Sequence, residues 1–350
     1  MALLEVKLRP AGPWRIGHSS GDRTRVDAVY HSDSLFSAVT QAMRSLGWLE
    51  EWLEATVRSA EGPAVRFSSL FPFAGNTRLV PPPKTSWPPA VSSRLYLKGA
   101  KLVPLDVALG AFDENRYAVD GASGCLIPGG ASAPFRVSLR SSVAVDRVSG
   151  VAGEPHRVAC LEFHPRAGMW GLVDIREARW EPRVRAAFRL LADTGFGGER
   201  SRGWGRAAEP EFHPVAKLFP EVEVQGAWWL LSLYSPVAAD SVDWAQGEYV
   251  IQERGGWTDS PAGAPKKKHV RMVEEGSVLA APALCGQAVD VAPEGFAHPV
   301  YRSGFALAIP IALAGLQVVE PVVPVPAAVV PEPVVMEQEE SASGEEEISE

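Results

Sequence analysis

The chain has 350 residues, 46% of them hydrophobic and 22% charged, an ordinary globular composition with room for two modest domains. Cys125, Cys160 and Cys285 are few, odd in number and far apart, which argues against a disulfide framework and fits a reducing cytoplasm. No signal peptide is read at the start, and the longest apolar stretch, Phe305 to Val330, is broken by proline, so a cytoplasmic protein without a membrane span is expected. The net charge of −8 comes from one end: nine glutamates and no Lys, Arg or Asp lie between Gln317 and Glu350, leaving 33 acidic against 34 basic residues elsewhere. A nearly neutral body with basic clusters remains compatible with RNA binding.

Ala2 to Leu8 alternates, with Leu4, Val6 and Leu8 on one face, and predicts a strand. A polar stretch follows, containing His18, Arg23 and Arg25. Ser32 or Asp33 predicts the N-cap of a helix from about Ser34 to Leu46, striped by Leu35, Phe36, Val39 and Met43, with the pattern resuming through Trp52 and Val57. Phe71 to Ala133 is rich in proline and glycine and carries Lys84, Arg94, Lys98 and Lys101; it predicts a projecting insertion, spanning about 71 to 155. Strand-like runs return at Phe135 to Val145 and His156 to Val173. A helix starting near Pro182 then leads into Gly195-Phe196-Gly197-Gly198-Glu199-Arg200-Ser201-Arg202-Gly203-Trp204-Gly205-Arg206.

This run is the most informative in the chain. Glycines permit tight turns and close approach of backbone to a ligand. Arginines offer forked donors to phosphate oxygens, and an aromatic ring can stack on a base. A phosphate loop of an NTPase fits badly, because the glycines follow a helix and no Gly-Lys-Ser/Thr ending is present. The order strand, helix, strands, helix, glycine loop, strand predicts a ferredoxin-like βαββαβ domain over residues 1–214. A second such unit is expected over 215–316, with a strand at Trp229 to Tyr234, the basic run Lys266-Lys267-Lys268, a strand pair around Val270 to Ala280 and a last strand near Tyr301 to Ile311. The Val, Pro and Glu composition of 317–350 predicts a disordered tail.

Ser32-Asp33-Ser34-Leu35-Phe36-Ser37-Ala38, the glycine-rich run, Glu275-Gly276-Ser277-Val278-Leu279 and His298-Pro299-Val300-Tyr301-Arg302-Ser303-Gly304 occur in the order found in one family. The chain resembles the RAMP superfamily of CRISPR-associated RNA-binding proteins, and within it subunit four of the type III-A (Csm) effector complexes. The type III-B (Cmr) counterpart shares the architecture. The resemblance implies an α+β protein of two tandem ferredoxin-like domains that binds the crRNA 5′ handle. It also implies docking on the large polymerase-like Cas subunit and on the backbone RAMP subunit, with the insertion wedging between guide and target RNA. The Pro81-Pro82-Pro83-Lys84 segment departs from the shorter pattern of relatives, and the glutamate tail is extra.

The candidate RNA-binding residues are therefore His18, Arg23 and Arg25; Ser32, Asp33 and Ser34, at a helix start that offers free N–H groups; Lys84; Gly195, Gly197, Gly198, Arg200, Ser201, Arg202, Gly203, Trp204 and Arg206; and Lys267, Tyr301 and Arg302. No cofactor is expected. A metal is not expected either, since His156, Cys160 and His164 share a face but lack a fourth ligand. The alternative to a non-enzymatic scaffold is a metal-independent endoribonuclease maturing crRNA, with His18 or His31 acting on a ribose hydroxyl.

Overall fold

The first strand, β1 (Ala2–Leu8), forms where the alternation puts Leu4, Val6 and Leu8 into the core. Its other face is not solvated. Glu5 is 5% exposed, and Arg78 grips its carboxylate with two hydrogen bonds of 2.6 and 2.8 Å. The computed structural model describes residues 2–18, 21–88, 95–110, 112–113, 115–215, 219, 226–258 and 265–311, so Arg94 and the acidic tail lie outside the described residues.

Helix α1 (Ser32–Ser45) buries Leu35, Phe36, Val39 and Met43, the expected stripe, and α2 (Leu49–Ala55) follows after a two-residue turn at Gly47. Helix α1 starts earlier than expected: His31 holds the cap position, and Ser32 and Asp33 are its first helical residues. Next come β2 (Val65–Phe67), β3 (Phe71–Ala74), β4 (Thr77–Val80) and the short β5 (Val103–Pro104). The insertion thus begins later than Phe71. Phe71, Phe73, Leu79 and Val80 are buried, and that apolar surface draws β3 and β4 into the main sheet.

The inserted part carries α3 (Leu105–Ala108), a hairpin of β6 (Tyr117–Asp120) and β7 (Cys125–Pro128), and a longer hairpin of β8 (Phe135–Ser142) and β9 (His156–Phe163). Then follow β10 (Ala167–Ile175), α4 (Trp180–Thr194) and β11 (Glu211–Pro214). The sheet order is β11-β1-β10-β3-β4-β5, antiparallel throughout, with β2 also on β10.

Downstream, β12 (Ala227–Leu230), β13 (Asp243–Glu248), β14 (Ile251–Arg254), β15 (Val270–Val273), β16 (Val278–Ala280), β17 (Gly286–Asp290), β18 (Tyr301–Phe305) and β19 (Ala308–Ile311) form a sheet of order β13-β16-β12-β19 and the two-stranded ribbons β14–β15 and β17–β18. Among the described residues of this half the only helical element is the turn Ala238–Asp240, so the helices of a second βαββαβ unit are not seen there. The two halves share a core: Trp229, Leu231, Phe305 and Ile309 cluster with Leu35 and Phe36, and the Phe36 and Phe305 rings stand 6.1 Å apart.

Trp52 is fully buried, with ring centroids 5.5 Å from Phe36 and 5.4 Å from Trp180, and its Nε1 donates to Thr40. Trp52→Ala should therefore cost about 3–5 kcal/mol in urea unfolding. Val148→Ala, at a side chain 99% exposed, should stay within about 0.5 kcal/mol of wild type.

Candidate nucleic-acid interface

Helix α4 stops at Gly195, whose φ of 100° leaves the helical region. The loop beyond folds back on its own chain. A Cβ at Gly197 would stand 2.3 Å from the Arg15 carbonyl oxygen, and one at Gly205 would stand 2.0 Å from that of Phe196. These glycines are required by intramolecular packing before any ligand is considered. Between them Phe196 is buried and stacks on Trp14 at 5.2 Å. Gly203, by contrast, has open space around it. Anchored this way, the loop presents Arg200, Ser201, Arg202 and Arg206 to solvent, with Trp204 half-buried. An open groove of about 620 Å³ runs along Thr194, Gly197, Gly198, Glu199, Arg200 and Ser201.

Arg15, which the sequence reading missed, ties the separate basic stretches together. Its backbone carbonyl accepts the Gly198 N–H at 2.9 Å. Its guanidinium, 9% exposed, donates to the carbonyls of Arg23 at 2.9 Å and Ala159 at 3.0 Å. The glycine loop, the Asp22–Arg25 turn and β9 are thus held to one side chain. Glu199 adds salt bridges to Arg23 and Arg202, each at 3.2 Å, and Arg202 donates to Ser142 of β8. The Tyr30 hydroxyl accepts a backbone hydrogen bond from Gly197, and burial pushes its pKa up to about 12.

The start of α1 differs from expectation. Ser32 and Asp33 are buried, and the Ser32 N–H donates to Ser69 while its hydroxyl accepts the Leu233 N–H. Asp33 is gripped by Arg254 at 2.9 and 3.0 Å and by Arg302. Burial opposes its charge, but the Arg254 and Arg302 guanidinium groups outweigh burial and hold the carboxyl well below its usual range. Ser34 is half-buried and accepts from Arg254. Ser32, Asp33 and Arg302 therefore serve the chain's own fold, because their donors and acceptors face one another. Tyr301 is half-buried beside Arg58, Lys84 is half-buried near Glu274, and Lys267 bonds through its N–H to Gly256.

His31 is buried between the carboxylates of Glu275, 2.9 Å from Nδ1, and Asp27, 3.2 Å from Nε2. Burial disfavours its charge, yet the two acids raise its pKa to about 10. The ring is an imidazolium at neutral pH and has no free nitrogen with which to accept a proton. Asp27 and His31 line a cavity of about 560 Å³ that also meets His18, Arg25, Lys101 and Gln252. Among the described residues no group of three or more His, Cys, Asp or Glu side chains is arranged to hold a metal, and no helix is long and apolar enough to cross a membrane.

Residues 224–311 match the family model of the CRISPR Csm4 C-terminal domain. The chain is 23% identical over 327 residues, 89% of its own length and 97% of the relative's, to the CRISPR system Cms protein Csm4 of Thermococcus onnurineus (strain NA1). The chain is similar to a type III-A Csm4 protein along most of its length, and its C-terminal part matches the Csm4 domain. Its fold is similar to that in a crystal structure of a Csm3-Csm4 subcomplex of the type III-A interference complex, with TM-score 0.60, 18% identity, 89% of this chain and 100% of that one covered. It is also similar to a crystal structure of a Csm1-Csm4 cassette with cA4, with TM-score 0.57, 18% identity, 90% of this chain and 99% of that one covered. The matched C-terminal domain contains Arg254, Glu275 and Arg302, the residues that close on α1.

Two outcomes follow. Asp33→Ala leaves two guanidinium groups buried without their carboxylate and should cost about 3–5 kcal/mol in denaturant unfolding. For His31, the folded pKa of about 10 exceeds the ordinary histidine value of 6.5, so its stabilisation is full below pH 6.5 and is lost as pH rises toward 10. His31→Gln should be less stable than wild type at pH 7 and should lose this alkaline slope, as read from unfolding midpoints measured between pH 6 and 10.

Proposed function

We propose that the protein is a non-enzymatic RNA-binding subunit of a type III-A CRISPR complex. It holds the 5′ handle of the crRNA and joins the large polymerase-like subunit to the RAMP backbone in antiviral defence. The observation that carries the reading is the convergence on Arg15: it holds the loop bearing exposed Arg200 and Arg202 to the turn bearing Arg23 and Arg25, and exposed Arg206 closes the same loop against Ala11 and Trp14. Phosphate oxygens are the ligand such guanidinium groups fit, and contacts to the backbone position a strand without reading its sequence. Trp204 on the same loop adds an aromatic ring for stacking on an unpaired base. Relatives described as Csm3-Csm4 and Csm1-Csm4 assemblies support two protein partners. The hairpin of β8 and β9 is the element we assign to guide and target RNA.

The antiparallel order β11-β1-β10-β3, with α1 and α4 as its helices, supports a ferredoxin-like unit over about residues 1–214. The tandem reading extends this to 215–316. Endoribonuclease activity at His31 has less support, because the ring is held charged between two carboxylates.

Changing Arg200, Arg202 and Arg206 together to Ala should weaken handle binding and leave the fold intact. Each phosphate contact on a single strand contributes a slope near −0.7 in log K against log salt, so three lost contacts should flatten the slope by about two. Filter binding across a salt series reads this directly, and an unchanged slope would remove these arginines from the RNA.

A further inference from the structure

The cavity lined by His18, Thr24, Arg25 and Val26 contains groups that phosphate binding does not use. Its volume, about 560 Å³, lies in the range of small-ligand pockets. Val29, Leu102, Phe135 and Leu161 give it apolar surface. Gln252 lines it with a buried amide Oε1 that has no hydrogen-bond donor. Buried polar atoms nearly always have a partner, so an orphan acceptor in a cavity wall points to a missing donor. Glu274 lines it too, half-buried, and its carboxylate has charged neighbours but no hydrogen bond among the described residues. Asp27, His31 and Glu275 are already paired with one another. Arg25 and Lys101, also lining, are exposed.

We propose that this cavity receives one unstacked base of the bound RNA and selects a base bearing an exocyclic amino group; this rests on the RNA-binding reading above. A flat apolar body fits the aliphatic and Phe135 surface. The amino group supplies the donor that Gln252 Oε1 lacks, while the Gln252 amide nitrogen meets an adjacent ring nitrogen, the pairing glutamine makes with adenine. A carboxylate accepts from the cytosine amino group in the same way, which gives Glu274 its role. Uracil has no amino group; the two carbonyl oxygens that flank its N3–H would oppose the oxygens of Gln252 and Glu274. Arg25 and Lys101 meet the phosphates on either side of the inserted base.

The test uses the full chain and fluorescently labelled twelve-nucleotide homopolymers of A, C and U in anisotropy titrations. Wild type should bind the A and C strands about tenfold more tightly than the U strand, the discrimination of one well-formed side-chain–base pair. Gln252→Leu should abolish that preference, bringing the A, C and U strands to equal affinity. Glu274→Ala, a second and independent change at a half-buried site, should reduce it. Unfolding midpoints establish that both variants are folded. Equal affinity of wild type for all three strands would overturn the proposal, as would a preference that survives in both variants. Displacement of the A strand by an equal concentration of AMP would make the cavity a free-nucleotide site and also overturn it. Failure to bind any strand would instead sink the RNA-binding reading itself, and this one with it.

Discussion

One buried carboxylate constrains the whole molecule. Asp33 sits in the first turn of α1, and its charge is tolerable only because Arg254 of β14 and Arg302 of β18 close around it. Unpaired, any of the three would be a desolvated charge in a protein interior. The arginines come from chain more than two hundred residues downstream, so the pair of halves must dock before any of these charges is satisfied. The neighbouring His31–Glu275 pair imposes the same condition a few ångströms away. Apolar contacts such as Phe36 with Phe305 supply attraction at the junction, while the ionic set specifies its register.

The same helix start shows how a motif can serve the fold itself. A helix N-terminus is an anion site by its nature. Here the anion is supplied by the chain itself, and the N–H of Ser32 is taken by Ser69, which also donates to Glu275. The Ser-Asp-Ser run therefore joins two parts of the fold.

The glycine-rich run divides its labour in a comparable way. Gly197 and Gly205 let two backbones approach more closely than any Cβ would allow. That close approach rigidifies the loop on Arg15 and Phe196. Under the proposed RNA-binding role, arginines on a loop packed this way would lose less freedom on binding than arginines on a mobile one.

Much of this was legible from the residues alone. The alternation of Leu4, Val6 and Leu8, the stripe from Leu35 to Met43 and the helix ending at Gly195 are local patterns, and local patterns follow from the period of the backbone. The exposed arginines after that helix were legible for the same reason. Phe71 to Val80 was not, because proline and glycine nearby masked two short strands whose burial depends on β10. Nor could Arg15, Arg254 or Gln252 be singled out, since one polar residue in a strand or turn looks like any other until its partners are known. The sequence by itself determined the elements, the family motifs and the basic loop. Only the tertiary structure decided which charges face water and which face each other, because pairing across two hundred residues leaves no periodic trace in the chain.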